Sequence, residues 1–186
     1  MNHKKYNIIY ADPPWQYGSK KYQDGDRPFD KLENQYPTMT IEEIKKLLVR
    51  DIIEEDAACF LWVTDSHLKE GIEVLESWGF RYKTISFVWI KKYASGQNCI
   101  NFAPWTLKSH EICLLGIKGK MTKYKKQNNI YSLVEAVRST HSTKPEAVRK
   151  RIELLFGDMP KIELFARTNA VGWDVWGNEV LKSISL

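Results

Sequence analysis

Short apolar runs of strand length recur along the chain. They cover Ile8–Tyr10, Ala57–Thr64, Thr84–Ile90, Ile112–Ile117 and Lys161–Arg167. A continuous run such as Ala57–Thr64 is typical of a strand that is covered on both faces. The pattern therefore predicts a strand at each of these places.

Segments with helical spacing separate the runs. Thr40 and Glu43 form a capping box, which predicts the start of a helix whose apolar face contains Ile41, Ile44, Leu47 and Leu48. After the second strand, Asp65 or Ser66 is expected to cap a helix that extends to Trp78 and stops at Gly79.

A third helix is predicted after Pro145, a residue that suits a first helical turn. Its buried face consists of Val148, Ile152 and Leu155, and Gly157 ends it. Strands that alternate with helices in this way favour an α/β fold with a doubly wound sheet of parallel strands.

The first strand runs directly into the turn Asp12-Pro13-Pro14-Trp15. Consecutive prolines fix φ and donate no hydrogen bond, so the strand must end there. In open α/β sheets this edge binds ligands. The Asp12 carboxylate and the Pro13 carbonyl could each accept an N–H of a nucleobase amine, while Trp15 or a nearby aromatic stacks on the base. The alternative is a structural turn, with a helix-capping Asp12 and a Trp15 that belongs to the core.

Residues Gln16 to Pro37 are polar and aromatic, which predicts a long loop. Long loops in compact domains are usually functional or disordered. A lid that closes over a base would have this composition, and Lys20 and Lys21 are candidates for contacts with phosphate.

Composition narrows the class of protein. The 186 residues are 43% hydrophobic, which suits one domain with a core, and the net charge of +5 suggests an anionic partner. Cys59, Cys99 and Cys113 are expected to be reduced thiols, and the histidines show no ligand spacing, so no metal site is predicted. No apolar run reaches the ~20 residues that span a bilayer. A cytoplasmic protein without a membrane segment is expected.

Two further segments carry charged or polar groups. Lys118 to Lys126 holds five lysines around Tyr124. Two interpretations stay open: Lys123, Lys125 and Lys126 contact phosphate, or the segment is a solvated hairpin tip. His110-Glu111 invites a catalytic or metal interpretation, although polar support of the structure is the stronger expectation.

The last predicted strand is not followed by a G-x-G-x-x-G motif, the usual nucleotide-loop signature. In its place, Arg167 to Glu179 holds polar residues between two glycines and two tryptophans. Such donors and acceptors could bind the adenine and the ribose hydroxyls of a nucleoside cofactor.

These motifs resemble the adenine-N6 methyltransferases, and in particular the family named for the seventy-kilodalton S-adenosylmethionine-binding subunit of the mRNA adenosine methyltransferase. The resemblance covers Tyr6 to Val180. It rests on Asp12-Pro13-Pro14-Trp15, Gln35–Thr40, Phe60–Thr64, Val88–Lys91 and the stretch from Arg138-Ser139-Thr140 to Lys144-Pro145. One extra residue near His141 departs from the family pattern.

The resemblance implies a single Rossmann-like class I methyltransferase domain over residues 1–186, with a mostly parallel sheet flanked by helices. The motif order is permuted, because the catalytic tetrad precedes the cofactor loop. It also implies S-adenosylmethionine as methyl donor and a direct displacement by the amine.

Site residues follow from the resemblance. The catalytic set is Asp12, Pro13, Pro14 and Trp15, and Tyr36 would help to hold the base unless it is an ordinary aromatic before the helix. The cofactor-binding set is Asp12, Lys144, Phe165, Arg167, Asn169, Asn178 and Glu179, with a solvent-facing Lys144 as the alternative. Larger relatives add an acidic cofactor contact before the first strand. Only five residues precede Tyr6, so the expectation is that either another residue replaces that contact or the affinity for the cofactor is lower.

The expected partner is nucleic acid. DNA is favoured because the chain is minimal and carries no appended RNA-binding module. RNA remains the alternative substrate, and a non-catalytic nucleic-acid-binding subunit is the alternative class. A homodimer or a heterodimer would be compatible with the sequence.

Overall fold

The computed structural model describes residues 4–16, 38–103, 105–139 and 143–186. Within these residues, seven strands form one sheet. The strands are β1 (Tyr6–Ala11), β2 (Ile53–Val63), β3 (Arg81–Lys92), β4 (His110–Lys118), β5 (Leu133–Val137), β6 (Lys161–Leu164) and β7 (Asp174–Trp176).

The strand order is β5-β3-β4-β2-β1-β6-β7. β1 pairs parallel with β2 and β6, β6 pairs parallel with β7, and β3 pairs parallel with β5. β4 is antiparallel to both of its neighbours, β2 and β3. The sheet is therefore mostly parallel, as predicted, with β4 reversed.

The described helices are α1 (Ile41–Lys46), α2 (Leu68–Ser77) and α3 (Glu146–Phe156). The capping box at α1 is confirmed, because Thr40 and Glu43 exchange both of the expected hydrogen bonds. α3 ends at Gly157, which adopts φ 75° as a terminating glycine can. None of these helices is long and apolar enough to cross a membrane.

Two apolar clusters lie on opposite faces of the sheet. On one face, Ile44 of α1 and Val74 of α2 pack with Ile9 of β1. On the other face, Ile152 of α3 packs with Tyr10 of β1 and other inward-facing strand residues. Helices thus cover both faces, which confirms the predicted α/β architecture.

The helix boundaries differ from the predictions at several ends. A 3-10 helix, Asp65–His67, precedes α2, and no side-chain cap is formed there. α1 ends before Leu48, which is exposed. Pro145 lies immediately before the first residue of α3. Local propensity sets helix ends weakly, so tertiary contacts decide these boundaries.

Candidate active site

The turn after β1 is fixed by backbone hydrogen bonds. The Trp15 N–H donates to the Pro13 carbonyl at 2.9 Å, and the Met39 N–H donates to the Pro14 carbonyl at 2.9 Å. β1 itself is almost wholly buried. Asp12 therefore lies at the end of a rigid strand, at a defined position where the carboxyl ends of the parallel strands meet.

A chain of alternating charges begins at Asp12. The Lys144 ammonium bonds to Asp12 Oδ2 at 2.7 Å and to Glu111 Oε2 at 3.1 Å, and Lys91 bonds to Glu111 Oε1. Asp12 directly follows β1, Lys91 lies in β3, Glu111 lies in β4, and Lys144 precedes α3. We call Asp12, Lys144, Glu111 and Lys91 the ion chain. Its two carboxylates and two ammoniums balance in charge.

The ion chain is largely shielded from solvent. The side chains of Lys91, Lys144 and Glu111 are 8%, 9% and 13% exposed, whereas Asp12 is 26% exposed. Asp12 is thus the member most open to a ligand. Buried charges persist only when they are paired and hydrogen-bonded, and each member here has an oppositely charged partner.

Two tryptophan rings pack against the ammonium groups of the ion chain. Lys144 Nζ lies 5.6 Å from the centroid of the Trp62 ring, and Lys91 Nζ lies 5.1 Å from that of Trp89. The Trp62 indole N–H donates to the Tyr10 hydroxyl at 2.8 Å. These contacts add cation–π attraction and hold the ammonium groups in place.

The environment shifts the pKa values of Asp12, Glu111 and Lys144 in different directions. Burial raises the pKa of Asp12 above its ordinary 3.8, and the nearby charge of Glu111 adds to this, although Lys144 opposes both. Burial also favours a raised pKa for Glu111, but Lys144 and Lys91 outweigh it and hold that pKa below 4.5. Burial opposes the charge of Lys144, yet Asp12 and Glu111 raise its pKa above 10.5.

Lys144, which the resemblance places in the cofactor-binding set, contacts Asp12 and is 9% exposed, so it is not the solvent-facing lysine of the alternative interpretation. The sequence reasoning missed Lys91 and undervalued Glu111. The His110-Glu111 pair was noticed, but its role became visible only through Lys91 and Lys144, which come from distant segments. His110 contacts a different residue, because its Nε2 lies 3.1 Å from Asp65 Oδ1.

Trp15 occupies a different place from the one predicted for base stacking. Its side chain belongs to the core, its indole N–H donates to the Trp62 carbonyl at 3.0 Å, and its ring stacks on His67 with centroids 5.5 Å apart. Burial of the indole and its N–H requires these partners. Trp15 therefore anchors the turn, as in the structural alternative.

The loops after β6 and β7 meet beside Asp12. Phe165 has φ 62°, an uncommon value for a residue other than glycine, and its ring packs edge-on against Trp176 at 5.4 Å. A Cβ on Gly177 would lie 2.1 Å from the Ala166 carbonyl oxygen. Glycine is thus required where the two backbones approach. Backbone strain of the kind seen at Phe165 often accompanies ligand sites.

Polar groups of the predicted cofactor set lie on these loops. Arg167 Nε lies 3.8 Å from Glu179 Oε1, and the charge of Arg167 acts on Asp12. Asn169 and Asn178 are exposed. Exposed amides with a carboxylate and a cation suit the hydroxyl, amine and carboxylate groups of S-adenosylmethionine. The residues present therefore fit that donor.

Other predicted substrate contacts are not brought to this edge. Tyr36, Lys20 and Lys21 lie outside the described residues. The basic segment Lys118–Lys126 follows β4, and because β4 is antiparallel, this segment lies at the opposite edge of the sheet. The nine residues of β4 span about 27 Å at ~3.4 Å per residue.

The basic segment also has structural partners of its own. Lys123 Nζ lies 2.5 Å from Asp56 Oδ2, and Met121 is buried. The segment contains a short 3-10 helix, Met121–Tyr124, instead of a plain hairpin tip. The structure therefore does not join Lys123, Lys125 and Lys126 to the ion chain.

The sequence model of the MT-A70 family matches residues 6–179. The chain is 39% identical to the Type II methyltransferase M.MunI of a Mycoplasma species over 95% of this chain and 78% of that protein. It is 32% identical to the N(6)-adenosine-methyltransferase subunit METTL3 of Danio rerio and 30% identical to the METTL3 catalytic subunit of Homo sapiens. In each METTL3 comparison, the match covers 95% of this chain but 28% of the relative. Since the family match includes the turn after β1, the ion chain and the loops after β6 and β7, the chain belongs to the MT-A70 family.

Proposed function

We propose that the chain is an S-adenosylmethionine-dependent methyltransferase that methylates the N6 amine of adenine in DNA. The observation that carries the proposal is the Asp12 carboxylate, which a buried lysine holds at the carboxyl edge of the sheet, beside the Pro13 carbonyl. The family match and the activities for which the relatives are named support the same reaction class.

Asp12 and Pro13 would orient the amine. Lys144 occupies Asp12 Oδ2, so we assign Oδ1 to the first N–H of the amine. The Pro13 carbonyl already accepts from Trp15, but a carbonyl oxygen has a second lone pair for the other N–H. Two acceptors on a rigid turn would aim the nitrogen lone pair at a methyl group, and such orientation supplies much of the rate in a displacement.

Charge in the reaction falls where Asp12 can stabilise it. When bound, S-adenosylmethionine supplies a methyl group on a sulfonium sulfur, and the electrons of the C–S bond leave on that sulfur. The N6 nitrogen becomes cationic as the N–C bond forms, and the Asp12 carboxylate lies next to it. The raised pKa of Asp12 also makes this carboxylate a better acceptor for the proton that N6 then releases.

The cofactor set would hold the donor on the same edge. The Lys144 ammonium can donate three hydrogen bonds. Asp12 and Glu111 accept two of them, and we assign the third to the carboxylate of S-adenosylmethionine. Asn178 and Glu179 suit its hydroxyl groups, and Arg167 and Asn169 lie close by in the chain. Phe165 and Trp176 provide apolar surface beside these groups.

The target adenine must leave its base stack to reach this edge. Asp12 is held at the end of a buried strand, so an adenine inside a duplex cannot place its amine there. The base would therefore be flipped out or already unpaired. Fewer stacking contacts would make a mismatched or single-stranded adenine the easier substrate.

DNA is favoured over RNA by the pattern of similarity. The type II methyltransferase shares most of its length with this chain and belongs to a DNA-modifying class. The METTL3 relatives support RNA as the second candidate, because they are named as N(6)-adenosine-methyltransferases.

Methyl transfer from radiolabelled S-adenosylmethionine to DNA and RNA oligonucleotides tests the proposal, with nucleosides identified by mass spectrometry. We expect N6-methyladenine in DNA. Asp12→Asn should reduce turnover by about 10²–10³-fold or more, the cost of losing a charged transition-state contact. Asp51→Asn, an exposed residue near the amino end of β2, should retain activity.

Several outcomes would overturn the proposal. Methylation of RNA alone would transfer the activity to the second candidate, and methylation of cytosine would exclude adenine as the target. A protein that binds nucleic acid, but neither binds S-adenosylmethionine nor transfers a methyl group, would be a non-catalytic subunit.

A further inference from the structure

Lys91 is a buried cation that touches neither Asp12 nor the expected position of a substrate. It is the penultimate residue of β3, its side chain is 8% exposed, and its ammonium bonds to Glu111. Burial of a lysine is costly unless its charge is paired, and Glu111 is the partner of Lys91. The reaction proposed above assigns it no role.

Glu111 divides its two oxygens between two lysines. Oε1 faces Lys91 and Oε2 faces Lys144. Lys144 in turn divides its ammonium between Asp12 at 2.7 Å and Glu111 at 3.1 Å. Since Coulomb attraction is strong where solvent is excluded, removal of Lys91 would leave the whole charge of Glu111 acting on Lys144.

The consequence for Asp12 follows from this competition. With Lys91 present, the ion chain is neutral and Lys144 lies closer to Asp12 than to Glu111. Without Lys91, the ion chain would carry one net negative charge. Lys144 would then move toward Glu111, and ionised Asp12 would lose part of its stabilisation.

We propose that Lys91 is a positioning residue for methyl transfer, which acts through Glu111 to keep Lys144 on Asp12. The inference rests on the proposed function, because Asp12 must be the group that receives the amine. It adds a requirement for a residue that contacts no reactant.

The next residue along the strand provides a matched control. Lys92 also pairs with a glutamate on a neighbouring strand, but Lys92 Nζ lies 3.6 Å from Glu135, whose side chain is 59% exposed. Exposed pairs contribute little because water screens them. A charge change at Lys92 should therefore leave turnover within about twofold of wild type.

The test is a double-mutant cycle with Lys91→Met and Glu111→Gln, in which kcat, the KM for DNA and the free energy of unfolding in urea are measured. We expect Lys91→Met to lower kcat about 10- to 100-fold with little change in the KM for DNA. In the Glu111→Gln background, the same change should alter kcat by less than about threefold, because the unbalanced charge is gone. Lys91→Arg should restore most of kcat.

The outcomes separate this inference from the proposed function. If wild type transfers no methyl group, the proposed function fails first. If wild type is active but Lys91→Met lowers kcat by the same factor in both backgrounds, or only changes stability, Lys91 does not act through Glu111. Should the single variant fail to fold, the neutral double variant can still overturn the inference, because the inference requires it to be about as active as Glu111→Gln alone.

Discussion

The two carboxylates that share Lys144 should contribute to stability with opposite signs. Asp12 has a raised pKa, so its charge is less favourable in the folded chain than in the unfolded one. Asp12→Asn should therefore leave the free energy of unfolding at pH 7 unchanged or higher by up to about 1 kcal/mol. Lys144 would keep Glu111 as its partner at 3.1 Å.

Glu111→Gln should be destabilising. The pKa of Glu111 is lowered, so its charge stabilises the fold, and it accepts hydrogen bonds from both Lys91 and Lys144. A glutamine oxygen can accept from one ammonium while its amide group faces the other. A hydrogen bond to a charged group contributes about 1.5–3 kcal/mol, and we expect a loss of that size. Glu135→Gln, a change at an exposed surface pair, should cost less than about 1 kcal/mol.

Urea unfolding as a function of pH measures both effects. Ionised Glu111 stabilises the fold above its ordinary pKa of 4.5, and this contribution is lost as the pH falls through its lower folded value. The deficit of Glu111→Gln should therefore shrink below pH 4.5. The penalty from Asp12 develops as the pH rises above 3.8 through its folded value. Any advantage of Asp12→Asn should thus disappear toward pH 3.8.

Equal losses of stability in the two variants would refute this reasoning, since the carboxylates would then be equivalent members of one buried network. A stabilised Glu111→Gln would refute it as well. An inactive Asp12→Asn that is as stable as wild type would show that Asp12 is retained for catalysis at no gain in stability.

Three further predictions concern the cofactor loops and the basic segment. Asn178→Ala should weaken S-adenosylmethionine binding by about 1–3 kcal/mol in calorimetry, because groups buried on binding lose a partner; unchanged affinity would move the cofactor site elsewhere. Gly177→Ala should lower the free energy of unfolding in urea by about 1–3 kcal/mol and also weaken donor binding, because its Cβ would lie 2.1 Å from the Ala166 carbonyl oxygen; wild-type values would show that the loops can separate freely. Replacing Lys123, Lys125 and Lys126 with alanine should leave the salt dependence of DNA binding unchanged, because the segment lies at the opposite edge; a slope reduced by roughly 0.7–0.9 per lysine would show that DNA reaches that edge.

Much of the architecture could be predicted from local patterns. The apolar runs identified β1, β2, β3, β4 and β6, because a strand buried on both faces must be apolar along its length. The capping box at Thr40 and the glycine at residue 157 marked helix ends through hydrogen bonds and backbone angles that depend on few residues. The turn after β1 was recognisable for the same reason, since consecutive prolines restrict the backbone by themselves.

Two short strands escaped the sequence reasoning. β5 is an outermost strand of the sheet and has exposed residues at alternate positions. β7 has only three residues between loops. Their backbones become strands because β3 and β6 offer unpaired hydrogen-bonding groups at those places. Such pairing leaves little signal in the apolar pattern.

Direction and assembly were decided by the tertiary structure alone. The apolar run of β4 is the same whether the strand runs parallel or antiparallel, yet its reversal brings Glu111 to Asp12 and sends the basic segment to the other edge. The sequence by itself determined the chemistry of Asp12 and its rigid turn. It did not determine the partners of Asp12, because Lys144 is 132 positions away. The members of the ion chain meet only because the tertiary structure packs β1, β3, β4 and the segment before α3 at one edge.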